Sequence, residues 1–399
     1  MSIRKRMSDS LNSDNPLLRV LFVDDEPSLL DGLRRSMRSM RHSWDMNFAN
    51  SGADALALMA EQPVDVIVSD MRMPNIDGLE LLTRVRDLYP ETVRIVLSGQ
   101  TEMQTALRSV SIAQAFLHKP SEPDVIKDAI ARALALSGEL ENDAIRRMVA
   151  KVDALPSPPE VVKQLNDCLA RPDVEISEIA AIASKDVAIT AKLLQLANSS
   201  FFGVSRPIAG VEDAITLLGI STVRDLAACS KLFEVLTPDL KPANVKRVED
   251  HTIEVARVAS TICGDKNVAR ETFSAAILHD VGELVIAVGF PEEEAQIQER
   301  VLAGESRTEV ETELFGVTHA AVGAHLLRLW GLPSTVVEAV AWHHHGPHHL
   351  PWEMNAIHGS FLAELIAERG TDDIDSMVPD GYLDSVGFQG LPENFFAPS

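Results

Sequence analysis

The stretch Val64-Asp-Val-Ile-Val-Ser-Asp70-Met-Arg-Met-Pro74-Asn-Ile-Asp77-Gly78 decides how the first third of the chain is read. Val64, Val66, Ile67 and Val68 make a short β-branched apolar run, as expected of a strand buried in a parallel sheet. The run ends in a carboxylate, Asp70, followed by a Met-Pro turn and an Asp-Gly pair. In open α/β sheets chemistry sits just past the carboxyl ends of the strands, so Asp70 stands where a reactive acid belongs.

Outward from this stretch, strand and helix patterns alternate. Arg19 to Val23 is a short apolar strand ending in Asp24-Asp25-Glu26, and Pro27 opens a helix with Leu29, Leu30, Leu33 and Met37 on one face. A weak strand near Asn47–Ala49, a helix Ala53–Ala60, the Val64 strand and a helix Leu79–Leu88 follow. Then come strand Val93–Leu97, helix Glu102–Val110, strand Ala115–His118 and a helix from Pro123. Five βα units predict a parallel sheet with helices on both faces.

The strand ends deliver Asp24 and Asp25, Asp70, Ser98, and Lys119-Pro120. Three clustered carboxylates repel one another, and a hard divalent cation relieves this; an all-oxygen set suits Mg²⁺. A lysine ammonium and a serine hydroxyl beside them suit the oxygens of a phosphoryl group added to one carboxylate. Acids at strand ends are also ordinary solvated loop residues, but all four strand ends matching in this order argues against that.

With these residues in place, positions 18–137 resemble the receiver domain of bacterial two-component response regulators, a flavodoxin-like (βα)5 fold. The resemblance implies that Asp70, in its D-x-x-M-P-x-x-D-G setting, is the phospho-acceptor. It further implies that Asp24 and Asp25 form the acidic pair for Mg²⁺, with Asp25 and Asp70 as direct ligands and the backbone carbonyl of Arg72 completing the set. Ser98 and Lys119 would contact the phosphoryl group, and Phe116 would be the aromatic switch residue. Gly99-Gln100 after Ser98 resembles receivers fused to HD-type output domains.

Composition bounds the rest. The chain has 399 residues, 46% of them hydrophobic, enough for two or three domains with real cores. Its formal net charge of −23 argues against a nucleic-acid backbone or an anionic membrane as partner. Cys168, Cys229 and Cys263 form no paired motif and suit small buried hydrophobes in a reducing cytoplasm. Residues 1–17 read as a disordered tail and not as a signal peptide, and no run of eighteen apolar residues occurs.

Residues 138–154 form a helical connector. Ile145, Met148, Val149 and Val152 make an apolar stripe broken by Leu155-Pro-Ser-Pro-Pro159. Such a helix suits a relay or a homodimer contact; the alternative is a stripe packed on its own domain.

From Pro159 to about Gly370 the pattern is nearly all helical. Apolar positions recur at helical spacing over Glu160–Leu169, Ile176–Ser184, Ala188–Ala197, Asp213–Leu218, Ser221–Phe233, Asn244–Cys263, Glu271–Val281, Arg307–Leu314, Thr318–Leu329 and Thr335–Trp342. Ten of the twelve histidines fall here. His279-Asp280 at a helix end, with His251 in the preceding long helix, is an arrangement that binds one or two Fe, Mn or Zn ions and activates water for phosphoester hydrolysis. A lone histidine is more often a hydrogen-bonded core or surface residue, and Pro347-His348-His349 reads as a loop.

Residues 155–369 resemble an HDOD domain, a helical relative of HD phosphohydrolases and HD-GYP phosphodiesterases. The carrying segments include Leu155-Pro-Ser-Pro-Pro159, Leu193-Leu-Gln-Leu-Ala-Asn198, Leu278-His-Asp-Val-Gly282, Phe315-Gly-Val-Thr-His319 and Trp330-Gly-Leu-Pro333. The ligand set of the active relatives maps onto His251, His279, Asp280, His319, His343 and His344. Its closing aspartate would fall near Phe361, where no acid stands; Glu283 replaces the usual lysine after the H-D-x-G motif, and no Gly-Tyr-Pro signature follows His343.

The resemblance therefore implies a response regulator phosphorylated on Asp70 by a sensor histidine kinase. Its non-catalytic HDOD output domain would bind a downstream signalling protein. The alternative is a phosphorylation-gated, metal-dependent cyclic dinucleotide phosphodiesterase. Residues 370–399 read as a loosely ordered tail.

Overall fold

A computed structural model describes residues 17–89, 92–99, 112–119, 121, 123–134, 145, 148–149, 155–199, 202, 204, 206–228, 242–349, 351–371, 374–392 and 395. The N-terminal tail, the expected helix Glu102–Val110, Pro120, Cys229 and most of the connector lie outside these residues.

The first unit is an α/β domain. Strands β1 (Leu18–Val23), β2 (Trp44–Ala49), β3 (Val66–Asp70), β4 (Val93–Gly99) and β5 (Ala115–Lys119) form one parallel sheet in the order β2-β1-β3-β4-β5. Helices α1 (Pro27–Ser36), α2 (Gly52–Glu61), α3 (Gly78–Leu88) and α4 (Pro123–Leu134) belong to the same unit. β3 is buried along its whole length, which explains its unbroken apolar run. The register pairs Asp70 with Leu97 and Gly99 with Lys119, so the functional strand ends finish at one edge of the sheet.

The second unit is helical: α5 (Pro159–Leu169), α6 (Ile176–Ala183), α7 (Val187–Ala197), α8 (Val211–Leu218), α9 (Ile220–Ala228), α10 (Pro242–Ile262), α11 (Lys266–Leu278), α12 (Val281–Gly289), α13 (Pro291–Leu302), α14 (Arg307–Phe315), α15 (His319–Leu329), α16 (Ser334–Trp342) and α17 (Ala356–Arg369). The expected helix Glu271–Val281 is corrected. It starts at Lys266, where Asp265 caps it by accepting from the Asn267 and Val268 amides, and ends at Leu278; a separate helix begins at Val281. The combined stretch Lys266–Gly289 has the length and apolarity of a membrane span, but 83% of its most apolar window is buried inside the domain.

Three of the four apolar connector positions, Ile145, Met148 and Val149, are buried within this chain, as a stripe packed on its own molecule would be. The segment after Gly370 is also corrected. Ile374–Met377 and Tyr382–Ser385 are short helices, and Tyr382 is fully buried with its ring against Trp352 and Phe361.

The two units meet. Gln195 of α7 donates to the Gln114 carbonyl just before β5 at 3.0 Å, and a small crevice there is lined by Phe116, Leu117 and Ala129 on one side and Asn198, Trp330 and Gly331 on the other.

One buried carboxylate in the helical unit gives a pH signature. Burial, together with the charges of Asp186, Asp250 and Glu160, pushes Glu249 up to about 9 from its ordinary 4.5. Folding therefore favours its protonated form, and that stability is present below the ordinary value and lost as pH rises toward 9. Glu249→Gln is expected to raise the melting temperature near pH 8 and to leave it nearly unchanged near pH 5. An equal effect of the substitution at both pH values would refute this.

Candidate functional site

Two clusters of chemistry-bearing side chains stand out. At the carboxyl edge of the sheet, Asp24, Asp25 and Asp70 lie close enough to share one cation. Lys119 bridges two of them, its Nζ 2.6 Å from Asp24 Oδ2 and 2.5 Å from Asp70 Oδ1. Burial works against the lysine's charge, but its contacts with Asp24 and Asp70 outweigh burial and raise its pKa, so it stays an ammonium. Burial pushes Asp70 upward, against the pull of Lys119.

The Arg72 amide donates to Asp70 Oδ2 at 3.1 Å, Ser98 is fully buried on β4, and Phe116 is buried on β5. The Asp77-Gly78 pair has a local reason. Asp77 caps α3 by accepting from the Glu80 amide, and a Cβ on Gly78 would stand 2.1 Å from the Asp70 carbonyl oxygen. Only glycine lets α3 start directly on the backbone of Asp70.

The second cluster lies in the helical unit. His251 comes from α10, His279 and Asp280 from the break between α11 and α12, His319 from the first turn of α15, and His343 and His344 from the end of α16. All six residues expected from sequence are brought together. His279 Nε2 lies 3.2 Å from Asp280 Oδ2, and His319 Nε2 lies 3.3 Å from Asp280 Oδ1. His343 Nε2 lies 3.7 Å from the same Oδ1, and His344 Nε2 is 3.1 Å from His319 Nε2.

The expectation that no acid closes the set is overturned. Glu364, one turn beyond Phe361 on α17, places a carboxylate 3.1 Å from His251 Nε2 and 3.3 Å from His279 Nε2. The signal for α17 was weak because Ala356 to Glu364 are all buried, leaving no apolar stripe, and Gly359 interrupts the run.

A shell of partners orients the rings. The Nδ1 atoms of His279 and His343 lie 2.6 and 2.7 Å from the carbonyls of Ala276 and Val340, and His319 Nδ1 is 2.7 Å from Glu311 Oε2. Glu283 is held in ion pairs with Arg247 and Arg307, and Arg307 also pairs with Glu311 and Glu294. Glu283 thus belongs to this supporting network.

Burial opposes the charged form of His279, but the Asp280 and Glu364 carboxylates outweigh it and push the ring up to about 9. Burial and the neighbouring imidazoles hold His343 low, and bring His344 down to about 2. The other histidines lie apart. His358, for example, is within hydrogen-bond distance of the Tyr382 hydroxyl and the Pro351 carbonyl.

Comparison with known proteins agrees with this division. A response regulator receiver domain model matches residues 20–131, and an HDOD domain model matches residues 155–346. The chain therefore belongs to the proteins that join a response-regulator receiver domain to an HDOD domain. An uncharacterised protein of Treponema pallidum is 27% identical over 200 residues, 50% of this chain and 39% of its own length. The hydrogenase transcriptional regulatory protein HoxA of Cupriavidus necator is 38% identical over 129 residues, 32% of this chain and 26% of its own length. The chain thus spans well under half of these curated relatives. Among solved structures, the MmoQ response regulator of Methylococcus capsulatus is 25% identical with a TM-score of 0.48, covering 61% of this chain and 96% of that one. A virulence factor of Campylobacter jejuni is 24% identical with a TM-score of 0.49, covering 57% of this chain and 80% of that one.

The second cluster depends on a close helix crossing. A Cβ on Gly282 would stand 1.9 Å from the His319 carbonyl oxygen. Gly282→Ala must part α12 from α15, and is expected to cost on the order of 1–3 kcal/mol or more in a denaturant titration. A change within error would show that the crossing yields freely.

Proposed function

We propose that the chain is a cytoplasmic two-component response regulator that accepts a phosphoryl group on Asp70 from a sensor histidine kinase and passes the signal to its HDOD domain, which binds a downstream signalling protein. The observation that carries this is the Lys119 ammonium seated between Asp24 and Asp70 at the edge of a five-stranded parallel sheet. Mg²⁺ fits the all-oxygen donor set of Asp24, Asp25, Asp70 and the Arg72 carbonyl, and would neutralise charge during transfer.

Phosphorylation adds negative charge beyond the Asp70 carboxylate. Lys119 and the Ser98 hydroxyl then gain a new anionic partner, and β5, which carries both Lys119 and Phe116, feels the change. Phe116 faces the crevice shared with Asn198 and Trp330, so a shift in β5 reaches the HDOD domain directly. Trp330 immediately follows α15, whose other end carries His319. Phosphorylation in this reading shifts the population of two arrangements of that contact.

Asp70→Asn is expected to abolish labelling by acetyl phosphate, read by intact-protein mass spectrometry; labelling that survived would overturn the phospho-acceptor assignment. Phosphorylation should also change hydrogen-exchange protection of the segments around Phe116 and Asn198. Lys119→Ala should still take up label but lose that change in protection. An unchanged response in Lys119→Ala would remove the lysine from the relay.

A further inference from the structure

Away from the histidine cluster, the helical domain holds a cavity of about 490 Å³ walled by α6, the start of α8, α10 and α11. Protein interiors are close-packed, so an opening of this size among four helices has to be built. Small residues build it: Ala180 and Ala181 on α6, Ala256 on α10 and Gly210 before α8 leave the space that larger side chains would fill. A Cβ on Gly210 would stand 2.9 Å from Arg270 Cδ, so glycine also lets the Arg270 stem lie along the start of α8. The apolar part of the wall is open to solvent, with Ile253 42% exposed and Phe273 only partly buried. None of the cluster histidines lines the cavity; Ile253 lies two positions beyond His251, on another side of α10.

Five charged side chains line the cavity: Lys185, Arg257, Arg270, Glu212 and Asp213. Arg270 Nη1 and Asp213 Oδ2 pair at 2.8 Å and offset one another. Two cations then stand against Glu212 alone. Arg257 is held in place by Phe395, whose carbonyl accepts from its Nη1 at 2.9 Å and whose ring centroid lies 4.3 Å from its guanidinium carbon. Lys185 Nζ makes no ion pair among the described residues. In a chain with a formal net charge of −23, the cavity thus carries a local excess of the opposite sign.

We infer that this cavity binds a small organic molecule with an apolar body and one acidic group. The acid meets the Lys185 ammonium, and the body lies on Val211, Ile253 and Phe273. The volume suits such a ligand, since small-molecule pockets run roughly 300–1,000 Å³ and are mostly apolar with a few placed polar groups. The charge balance selects an acid over a neutral or cationic molecule. The site lies at the start of α7, the helix that touches the receiver near its other end: Lys185 precedes Asp186, which caps α7 by accepting from the Ile189 amide, and Gln195 donates to Gln114. The inference stands or falls separately from phosphorylation of Asp70.

The test uses the full chain with anilinonaphthalene sulfonate, an aromatic acid that brightens on leaving water, and with its uncharged counterpart phenylnaphthylamine. Wild type is expected to bind about one sulfonate per chain, with a saturable rise in fluorescence. Ala181 is exposed at the rim, so Ala181→Trp should fill the opening and abolish that rise while keeping the circular dichroism and melting temperature of the wild type. Lys185→Glu should weaken the sulfonate roughly 10-fold or more and leave the naphthylamine within about twofold. No saturable binding, or binding that survives Ala181→Trp, would overturn the site. Equal loss of both probes in Lys185→Glu, or of neither, would overturn the acidic class. Two other occupants are read in the same samples, and either overturns the inference. A wild-type dimer in sedimentation velocity that Ala181→Trp dissociates would assign the cavity to a second copy of the chain. Sulfonate binding that appears only on deleting residues 396–399 would assign it to the segment after Phe395.

Discussion

Both clusters depend on the same constraint: a helix must begin in direct contact with the backbone of a functional residue, and only a missing Cβ allows it. Gly78 brings α3 onto the Asp70 carbonyl, and Gly282 brings α12 onto the His319 carbonyl. In the receiver this fixes Asp70 at the sheet edge beside Lys119. In the helical domain it brings the His279-Asp280 break against the first turn of α15. Gly323 completes that crossing, since a Cβ there would stand 2.9 Å from Val281. Without the crossing the imidazoles would belong to separate helices with no common centre.

The same helix then joins the two domains. α15 spans 11 residues, a rise of about 16 Å. His319 opens it, and Trp330 follows its last residue beside the receiver's Phe116. Lys192 lies over the Trp330 ring at 5.1 Å and reaches Gln195, whose amide holds the Gln114 carbonyl. A buried lysine and a buried glutamine on α7 are costly unless partnered, and these partners lie at the domain contact. Gln195, and through it Lys192, are therefore explained by the receiver packed against α7.

The receiver was legible because each of its signals is local. A buried strand, an acid at its end and a capped helix after it occupy one continuous stretch, and the observed strands match the expected ones to within a few residues. The histidine and aspartate members of the second cluster were legible through the resemblance to HD-type domains, which maps their ligand set onto these positions. Glu364 was not, for a physical reason: α12 and α17 are buried on nearly all sides, so neither shows the apolar stripe by which helices are recognised. Tyr382 escaped for a related reason, since its burial is set by contacts with Trp352, Phe361 and His358 from elsewhere in the chain.

The two clusters also differ in a way that keeps them chemically separate. The receiver offers carboxylate oxygens and a backbone carbonyl, a hard set suited to Mg²⁺. Its Lys119 already offsets part of that negative charge at Asp24 and Asp70. The helical cluster offers five imidazoles to two carboxylates, and imidazole nitrogen favours Zn, Fe or Mn over Mg²⁺. Its rings are fixed from behind by carbonyls and by Glu311, and its deepest members are closed to solvent. The two clusters thus differ in donor chemistry, oxygens at the edge of the sheet and mostly imidazole nitrogens where α10, α11, α15, α16 and α17 meet.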